Sequence, residues 1–80
     1  MAKREIRVPR LAPNMESGVI VAWLKEEGEA VEKSDVLYEI ETDKVVSSIE
    51  ADAPGRLAQI LTPVGEQVAV DQVVAEIEVD

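Results

Sequence analysis

The chain of 80 residues carries a formal net charge of −9 and contains neither cysteine nor histidine. This length accommodates one small domain, and the two missing residue types exclude disulfides, thiolate metal sites and the commonest general base. The acidic balance disfavours binding to nucleic acid, and the longest apolar run, Val19 to Leu24, is too short to span a bilayer.

Thirteen valines and six isoleucines, with Trp23 and Tyr38 as the two aromatic residues, predict an all-β domain with an aliphatic core. We expect Trp23 to lie inside that core. The first predicted strand contains Ile6 and Val8, and Pro9 ends it or confines it to a sheet edge.

Two further segments precede the middle of the chain. The loop from Arg10 to Ser17 contains Met15, which we expect to fill a gap in the core. Val19 to Leu24 is predicted as a strand covered on both faces. Gly28 disfavours a helix in the next polar stretch by about 1 kcal/mol relative to alanine. A turn and a short extended piece at Val31 are therefore predicted instead.

The rest of the chain alternates apolar and polar residues with the period of two that is typical of strands. The predicted strands are Val36 to Glu41, Val45 to Glu50, Arg56 to Leu61 and Val73 to Val79. In the last strand, the alternation places Val73, Ala75, Ile77 and Val79 on one face and Val74, Glu76 and Glu78 on the other.

An internal repeat connects these elements. When the chain is shifted by 37 residues, many identical residues coincide, and eight of these pairs define the repeat. They are Gly18 and Gly55, Gly28 and Gly65, Glu29 and Glu66, Val31 and Val68, Val36 and Val73, Glu39 and Glu76, Ile40 and Ile77, and Glu41 and Glu78. Either half alone would leave an apolar sheet face in water, so the repeat predicts two similar sheet halves packed face to face about an approximate two-fold axis.

Lys44 lies in a short polar link between two predicted strands, which indicates a hairpin with this lysine at an exposed tip. We expect the tip at the end of the domain opposite to the chain termini. Most lysines in turns are solvated charges without a further role. The symmetric arrangement of the chain about Lys44 favours a functional role here.

The segment Glu39-Ile40-Glu41-Thr42-Asp43-Lys44-Val45 resembles the modification site of the lipoyl domains of dihydrolipoamide acyltransferases, which are components of the 2-oxo acid dehydrogenase complexes. Matching residues elsewhere in the chain are Pro9, Leu11, Met15, Gly18, Trp23, Gly28, Val31, Gly55, Gly65 and Ile77. The resemblance implies one lipoyl domain over residues 1–80, at the N-terminal end of a longer acyltransferase chain. Its implied fold is a flattened barrel or sandwich of two four-stranded antiparallel sheets with internal two-fold quasi-symmetry.

The resemblance also implies a carrier domain that is not itself an enzyme and has no catalytic residues. Lys44 would be the acceptor of an amide-linked lipoate, and Glu41, Thr42, Asp43 and Val45 would be recognised by its partners. The implied partners are a lipoate ligase or lipoyl transferase, a thiamine-diphosphate-dependent 2-oxo acid decarboxylase, the acyltransferase core that uses coenzyme A, and dihydrolipoamide dehydrogenase. The isolated domain is expected to be a soluble monomer without metal, nucleic-acid or membrane partners. Its expected location is the cytoplasm of a bacterium or archaeon, or the mitochondrial matrix of a eukaryote.

Five alternatives are weaker. One of them, the hydrogen carrier of the glycine-cleavage system, is longer and has added helices, for which this chain has no room. Glu41 and Asp43 could suggest acid–base catalysis, but on a solvated hairpin they lack the buried pocket that tunes the pKa values of catalytic carboxylates. The acidic run from Glu26 to Glu29 could suggest a calcium site, but it lacks the ligand spacing of a calcium loop. A biotin carrier shares the implied architecture but typically flanks its lysine with methionines, whereas Lys44 has Asp43 and Val45. An unmodified interaction module would not need the tip lysine.

Two positions depart from the pattern of lipoyl domains. Ser17 stands where members often have glutamate before Gly18. Ser34 precedes Asp35 where members often have glycine, the residue favoured at positive φ. The turn at Ser34 is therefore predicted to be strained or of another type.

Overall fold

The structure, a computed structural model, describes residues 2–43 and 45–79. Its eight strands are β1 (Ala2–Arg7), β2 (Ser17–Trp23), β3 (Ala30–Val31), β4 (Val36–Thr42), β5 (Val45–Glu50), β6 (Gly55–Ile60), β7 (Gln67–Ala69) and β8 (Val73–Val79). They form two four-stranded antiparallel sheets. We call the sheet with strand order β1-β8-β6-β3 the terminal sheet and the sheet with order β5-β4-β2-β7 the hairpin sheet. The predicted all-β fold of two four-stranded sheets is confirmed.

The strands lie close to the predicted segments, and the differences occur where the side-chain pattern is weak. Strand β1 begins at Ala2, four residues before Ile6, because it pairs with β8 along its whole length. The polar residues at its start give no apolar alternation. Strand β7, with three residues, is too short to produce a pattern of its own.

The 37-residue repeat in the sequence corresponds to a repeat in the structure. A shift of 37 residues carries β2, β3 and β4 onto β6, β7 and β8, and each set of equivalent strands occupies equivalent places in the two sheets. Strands β5 and β1 complete the equivalence as the edge partners of β4 and β8. The register shifts also coincide, since β2–β4 shifts between Ile20 and Ala22 and β6–β8 shifts between Leu57 and Gln59.

Reciprocal backbone hydrogen bonds join the two halves. The amide of Gly28 donates to the carbonyl of Leu57, and the amide of Gly65 donates to the carbonyl of Ile20, both at 2.7 Å. Both glycines have positive φ, 89° and 96°, a conformation that glycine adopts at little cost. The turns at Gly28 and Gly65 are therefore each hydrogen-bonded to a strand of the other half of the domain.

The core lies between the sheets and is almost entirely aliphatic, as predicted. Its buried members are Val8, Met15, Ile20, Val31, Leu37, Tyr38, Ile40, Ala51, Leu57, Val68, Val74, Ala75 and Ile77. Met15 is buried as expected. Trp23 is only partly buried: it packs on the core through Tyr38, with ring centroids 4.9 Å apart, and its Nε1 donates to the carbonyl of Thr62 at 2.8 Å.

Two predictions about the sheet face on which side chains lie were wrong. Val74 is fully buried beside Ala75, although strict alternation places them on opposite faces. The register shift between Ile6 and Arg7 in the β1–β8 pairing interrupts the alternation at this point, because a bulge changes which residues share a face. The segment from Val19 is not covered on both faces either, since Val21 is exposed.

The turn at Ser34 has the strained conformation that its sequence predicts. Ser34 has φ of 76°, and its equivalent in the second half, Asp71, has φ of 73°. The two turns therefore have similar backbones, although neither residue is glycine. The amide of Ser34 donates to the carbonyl of Ala51, and that of Asp71 donates to the carbonyl of Val8, so both turns are held in the same way.

Candidate functional site

The β4–β5 hairpin ends in the shortest common type of loop. Thr42 is directly paired with Val45, so only Asp43 and Lys44 separate the two strands in sequence. Asp43 has φ of 53°, in the left-handed region that two-residue hairpin loops require and that aspartate tolerates better than most residues. Lys44 itself, the predicted acceptor, lies outside the described residues.

The structure brings the four predicted recognition residues together around this loop. Glu41 and Asp43 are exposed and Thr42 is half-buried, while the side chain of Val45 is 59% exposed. Sequence reasoning missed Val46, which is directly opposite Glu41 and 52% exposed. The signal available in the sequence was the pair of successive valines, Val45 and Val46, directly after the predicted exposed tip.

The start of β2 packs closely against the end of β4, next to the hairpin loop. Gly18 has no side chain, and a Cβ atom at this position would lie 2.9 Å from Cγ2 of Thr42 and 2.8 Å from Cγ1 of Ile40. Such distances are too short for carbon atoms that are not bonded, so the close approach depends on glycine. The end of β4 is therefore held against β2 immediately before the loop.

The other lysines are in different surroundings. Lys25 contacts Asp35 at 3.4 Å and Glu29 at 3.5 Å. Burial lowers the pKa of Lys25, but the hydrogen bond and the negative charge of Asp35, with help from Glu29, raise it overall. Lys3 lies opposite Glu78 in the terminal sheet, and Lys33 lies in the exposed turn before β4. None of these three is at the end of a two-residue hairpin.

Within residues 2–43 and 45–79, no three acidic side chains are grouped so that they could hold a metal ion. The same residues contain no helix long and apolar enough to cross a membrane.

The chain matches the biotin–lipoyl family model, described as "Biotin-requiring enzyme", over residues 4–77. It is 46% identical over 72 residues to the dihydrolipoyllysine-residue acetyltransferase component of the pyruvate dehydrogenase complex of Zymomonas mobilis, covering 89% of this chain and 16% of that protein. It spans less than a fifth of the length of the first curated relatives that it matches.

Two solved structures are similar in fold. The lipoyl domain of the 2-oxoglutarate dehydrogenase complex from Azotobacter vinelandii superposes with a TM-score of 0.77 at 31% identity, covering 92% of this chain and 94% of that one. A single-chain, multi-domain long-chain acyl-CoA carboxylase matches with a TM-score of 0.79 at 18% identity, covering 92% of this chain and 7% of that one, which is a likeness of fold alone. From the family match and the lipoyl-domain fold together, the chain belongs to the biotin–lipoyl family as a domain of the lipoyl type.

Proposed function

We propose that this domain is a swinging-arm carrier in which lipoate is joined by an amide bond to Lys44. The observation that carries the proposal is the hairpin end, where the paired residues Thr42 and Val45 leave a two-residue loop flanked by exposed side chains. A long prosthetic arm needs an attachment point open to solvent. The exposed neighbours Asp43 and Val45 fit that requirement.

The residues of the domain supply placement and recognition. Strands β4 and β5 are paired from Val36 opposite Glu50 to Thr42 opposite Val45, which fixes the register of the loop against the rest of the sheet. Glu41, Thr42, Asp43 and Val45 form the surface that the modifying enzyme, a lipoate ligase or lipoyl transferase, would recognise. These features allow Lys44 to be distinguished from Lys3, Lys25 and Lys33.

A lipoyl group supplies the chemistry: acyl transfer from a thiamine-diphosphate-dependent 2-oxo acid decarboxylase to coenzyme A at the acyltransferase core, with reoxidation by dihydrolipoamide dehydrogenase. The names of the relatives support this proposal, because the Zymomonas protein is a component of a pyruvate dehydrogenase complex and the Azotobacter domain comes from a 2-oxoglutarate dehydrogenase complex. Tethering would keep the reacting group at high local concentration near successive active sites.

By the same reasoning, residues 1–80 would be a lipoyl domain of a dihydrolipoamide acyltransferase, located in the bacterial or archaeal cytoplasm or in the mitochondrial matrix. The domain itself would carry the acyl group without catalysing its transfer. Which 2-oxo acid the complex consumes depends on the decarboxylase partner.

Biotin attachment is the second candidate, because the family includes biotin-dependent enzymes and the acyl-CoA carboxylase shares the fold. The purified domain should be incubated separately with lipoate ligase and with biotin ligase, each with its cofactor and ATP, and its intact mass measured. We expect one lipoyl group per chain, no biotin, and no modification of the Lys44→Arg variant. Incorporation of biotin but not of lipoate would select the second candidate, and absence of both would refute the carrier function.

A further inference from the structure

The turns that follow β2 and β6 are equivalent in the internal repeat and share the same backbone. Residues 24–29, the first turn, read Leu-Lys-Glu-Glu-Gly-Glu, and residues 61–66, the second turn, read Leu-Thr-Pro-Val-Gly-Glu. In each turn the amide of the final glutamate donates to the carbonyl three residues earlier, from Glu29 to Glu26 at 3.0 Å and from Glu66 to Pro63 at 3.3 Å. One backbone therefore accommodates two different sets of side chains.

The first turn provides partners for its own charges. The carboxylate of Glu29 accepts a hydrogen bond from the amide of Glu26 at 3.0 Å and contacts Lys25 at 3.5 Å. The carboxylate of Glu27 accepts a hydrogen bond from the amide of Ile60 at 2.8 Å. Two of the three acids of this turn are therefore already bound to groups of the domain.

The second turn lacks these partners. Its final acid, Glu66, is equivalent to Glu29, but the residue that would donate an amide hydrogen is Pro63, which has none. Thr62 stands in place of the lysine, and within the part of the chain that the structure describes Glu66 forms no ion pair. The exposed carboxylate of Glu66 is thus equivalent to a paired acid whose two partners have been replaced.

Exposed apolar side chains lie in the same turn. Leu61 is 45% exposed and Val64 is 56% exposed. The amide of Gly65 donates to the carbonyl of Ile20. The next residues along these two antiparallel segments, Val64 and Val21, therefore lie side by side, and Val21 is 38% exposed. We call the surface formed by these side chains and the neighbouring acid the turn patch; its members are Val21, Leu61, Val64 and Glu66.

The turn patch is separate from the two-residue hairpin loop. The second turn leads into β7, which is one edge strand of the hairpin sheet, whereas the loop joins β4 to β5, the other edge strand. A partner bound to the turn patch can therefore leave the loop uncovered.

We propose that the turn patch is a docking surface for a segment of another protein that presents a lysine or arginine beside apolar side chains. The cation would take the place beside Glu66 that Lys25 occupies in the first turn. The apolar side chains of the partner would cover the three exposed apolar side chains of the patch. Exclusion of water from this contact would strengthen the ion pair.

A second copy of this chain does not match the turn patch. Two copies related by a two-fold axis would bring their Glu66 carboxylates together, and like charges in contact disfavour association. Three partly exposed apolar side chains also offer far less than the roughly 800 Å² per partner that stable interfaces bury. A short cationic segment that binds weakly and reversibly matches both the charge and the size of the patch.

The inference goes beyond the carrier function and does not depend on it, so the test uses the unmodified domain. Isotope-labelled protein is titrated with an amphipathic leucine–lysine peptide of about 14 residues, and two-dimensional NMR spectra are recorded. We expect shifts concentrated at residues 61–66 and at Val21, with little change at residues 25–29. The same peptide with glutamate in place of lysine should not bind.

Two matched substitutions test the role of the acid. Glu66→Gln should weaken binding of the leucine–lysine peptide by about threefold or more. Glu26→Gln removes the same charge from an exposed position of the first turn and should leave the affinity unchanged.

The first turn also provides a precedent for a variant of the second. Pro63→Glu with Val64→Glu gives the second turn the two central acids of the first. This exchange variant should bind the leucine–lysine peptide more weakly, although both substitutions add negative charge. Attraction by net charge alone would make it bind more tightly.

Each outcome decides for or against the proposal. Wild-type shifts that are absent, or that spread over the acidic surface, would overturn it, as would equal or tighter binding by the exchange variant. Shifts at the turn patch that grow with protein concentration without peptide would identify a second copy as the occupant and also overturn it. Thermal unfolding establishes whether the exchange variant is folded. If it is not, Glu66→Gln and Glu26→Gln decide, and equal affinities of these two variants would overturn the proposal.

Discussion

Thr42 and Val45 are directly paired at the end of β4 and β5, and the residue that follows Thr42 has a left-handed backbone, with φ of 53° at Asp43. The position and direction of the loop thus depend on a conformation that most side chains disfavour. An aspartate before the proposed acceptor has a conformational reason as well as an electrostatic one. The two reasons can be separated by substitution.

We predict that Asp43→Gly retains stability and lipoylation although it removes the carboxylate, because the part of Asp43 in recognition would be the left-handed backbone that positions the loop. Asp43→Ala should destabilise the domain relative to Asp43→Gly by about 1 kcal/mol, because a left-handed conformation costs most L-residues about 1–2 kcal/mol. Thermal unfolding and the rate of modification by lipoate ligase are the measurements. If Asp43→Gly loses modification while Asp43→Glu retains it, the charge and not the backbone is the important property.

The equivalent glycines Gly18 and Gly55 should differ in their tolerance of alanine. A Cβ atom at Gly55 would lie 2.0 Å from the backbone carbonyl oxygen of Glu78, which cannot move without disturbing β8, whereas a Cβ atom at Gly18 meets only side chains. Gly55→Ala should therefore cost about 3 kcal/mol or more and Gly18→Ala less, within the range of 1–3 kcal/mol typical of overpacking. Urea denaturation of both variants measures this difference, and equal losses would argue against the close approach at Gly55.

Tyr38 is fully buried, and its hydroxyl has no hydrogen-bond partner among the described residues. Tyr38→Phe should therefore leave stability unchanged or raise it by about 1 kcal/mol, because a buried polar group without a partner is costly. A loss of stability in urea denaturation would indicate instead that a water molecule or another group satisfies the hydroxyl.

The same residue gives a test at high pH. Desolvation raises the pKa of Tyr38 to about 12 from its ordinary value of 10.0. Because the pKa is higher in the folded state, this residue contributes stability that is complete below pH 10 and is lost as the pH rises toward 12. Tyr38 is the only tyrosine, so Tyr38→Phe should remove its part of the decline. A decline of the same size in both proteins would contradict this assignment.

Asp35 connects two turns of the first half and should contribute to stability in a pH-dependent way. Its carboxylate accepts a hydrogen bond from the amide of Glu32 at 2.9 Å and contacts Lys25 at 3.4 Å, and these interactions, the first most strongly, hold its pKa below the ordinary value of 3.8. The contribution is therefore present above this value and is lost as the pH falls through the lower pKa of the folded state.

We predict that Asp35→Asn is less stable than the wild type at pH 7 and that the difference narrows below pH 4. Asparagine resembles Gln72, the amide that occupies the equivalent position in the second half, so the turn itself should be preserved. Thermal unfolding of both proteins across this range is the measurement. A difference that does not change with pH would show that the carboxylate charge has no part in it.

Much of the fold follows from the sequence because two signals agree. Alternation defines β4, β5 and β8, and the 37-residue repeat indicates that Gly18 and Gly55 occupy the same position in two similar halves. The burial of Val74 could not be predicted, because it depends on a bulge that arises from pairing with β1, a strand whose first residues show no alternation. Local patterns do not contain information about such pairing.

The candidate site was predictable in composition but not in shape. The segment from Glu41 to Val45 stands out by its resemblance to lipoyl domains. The exposure of Val46 depends on which strands lie side by side, and this is known only once the two sheets are assembled.

The most direct measurement of the central claim is the identity of the modified residue. The wild-type domain should be treated with lipoate ligase, lipoate and ATP, digested, and its peptides mapped by mass spectrometry. The hairpin at Thr42 and Val45 predicts a lipoyl group on Lys44 and none on Lys3, Lys25 or Lys33. Modification of any of these three, or a domain that remains unmodified while an established lipoyl domain in the same reaction is lipoylated, would contradict the account.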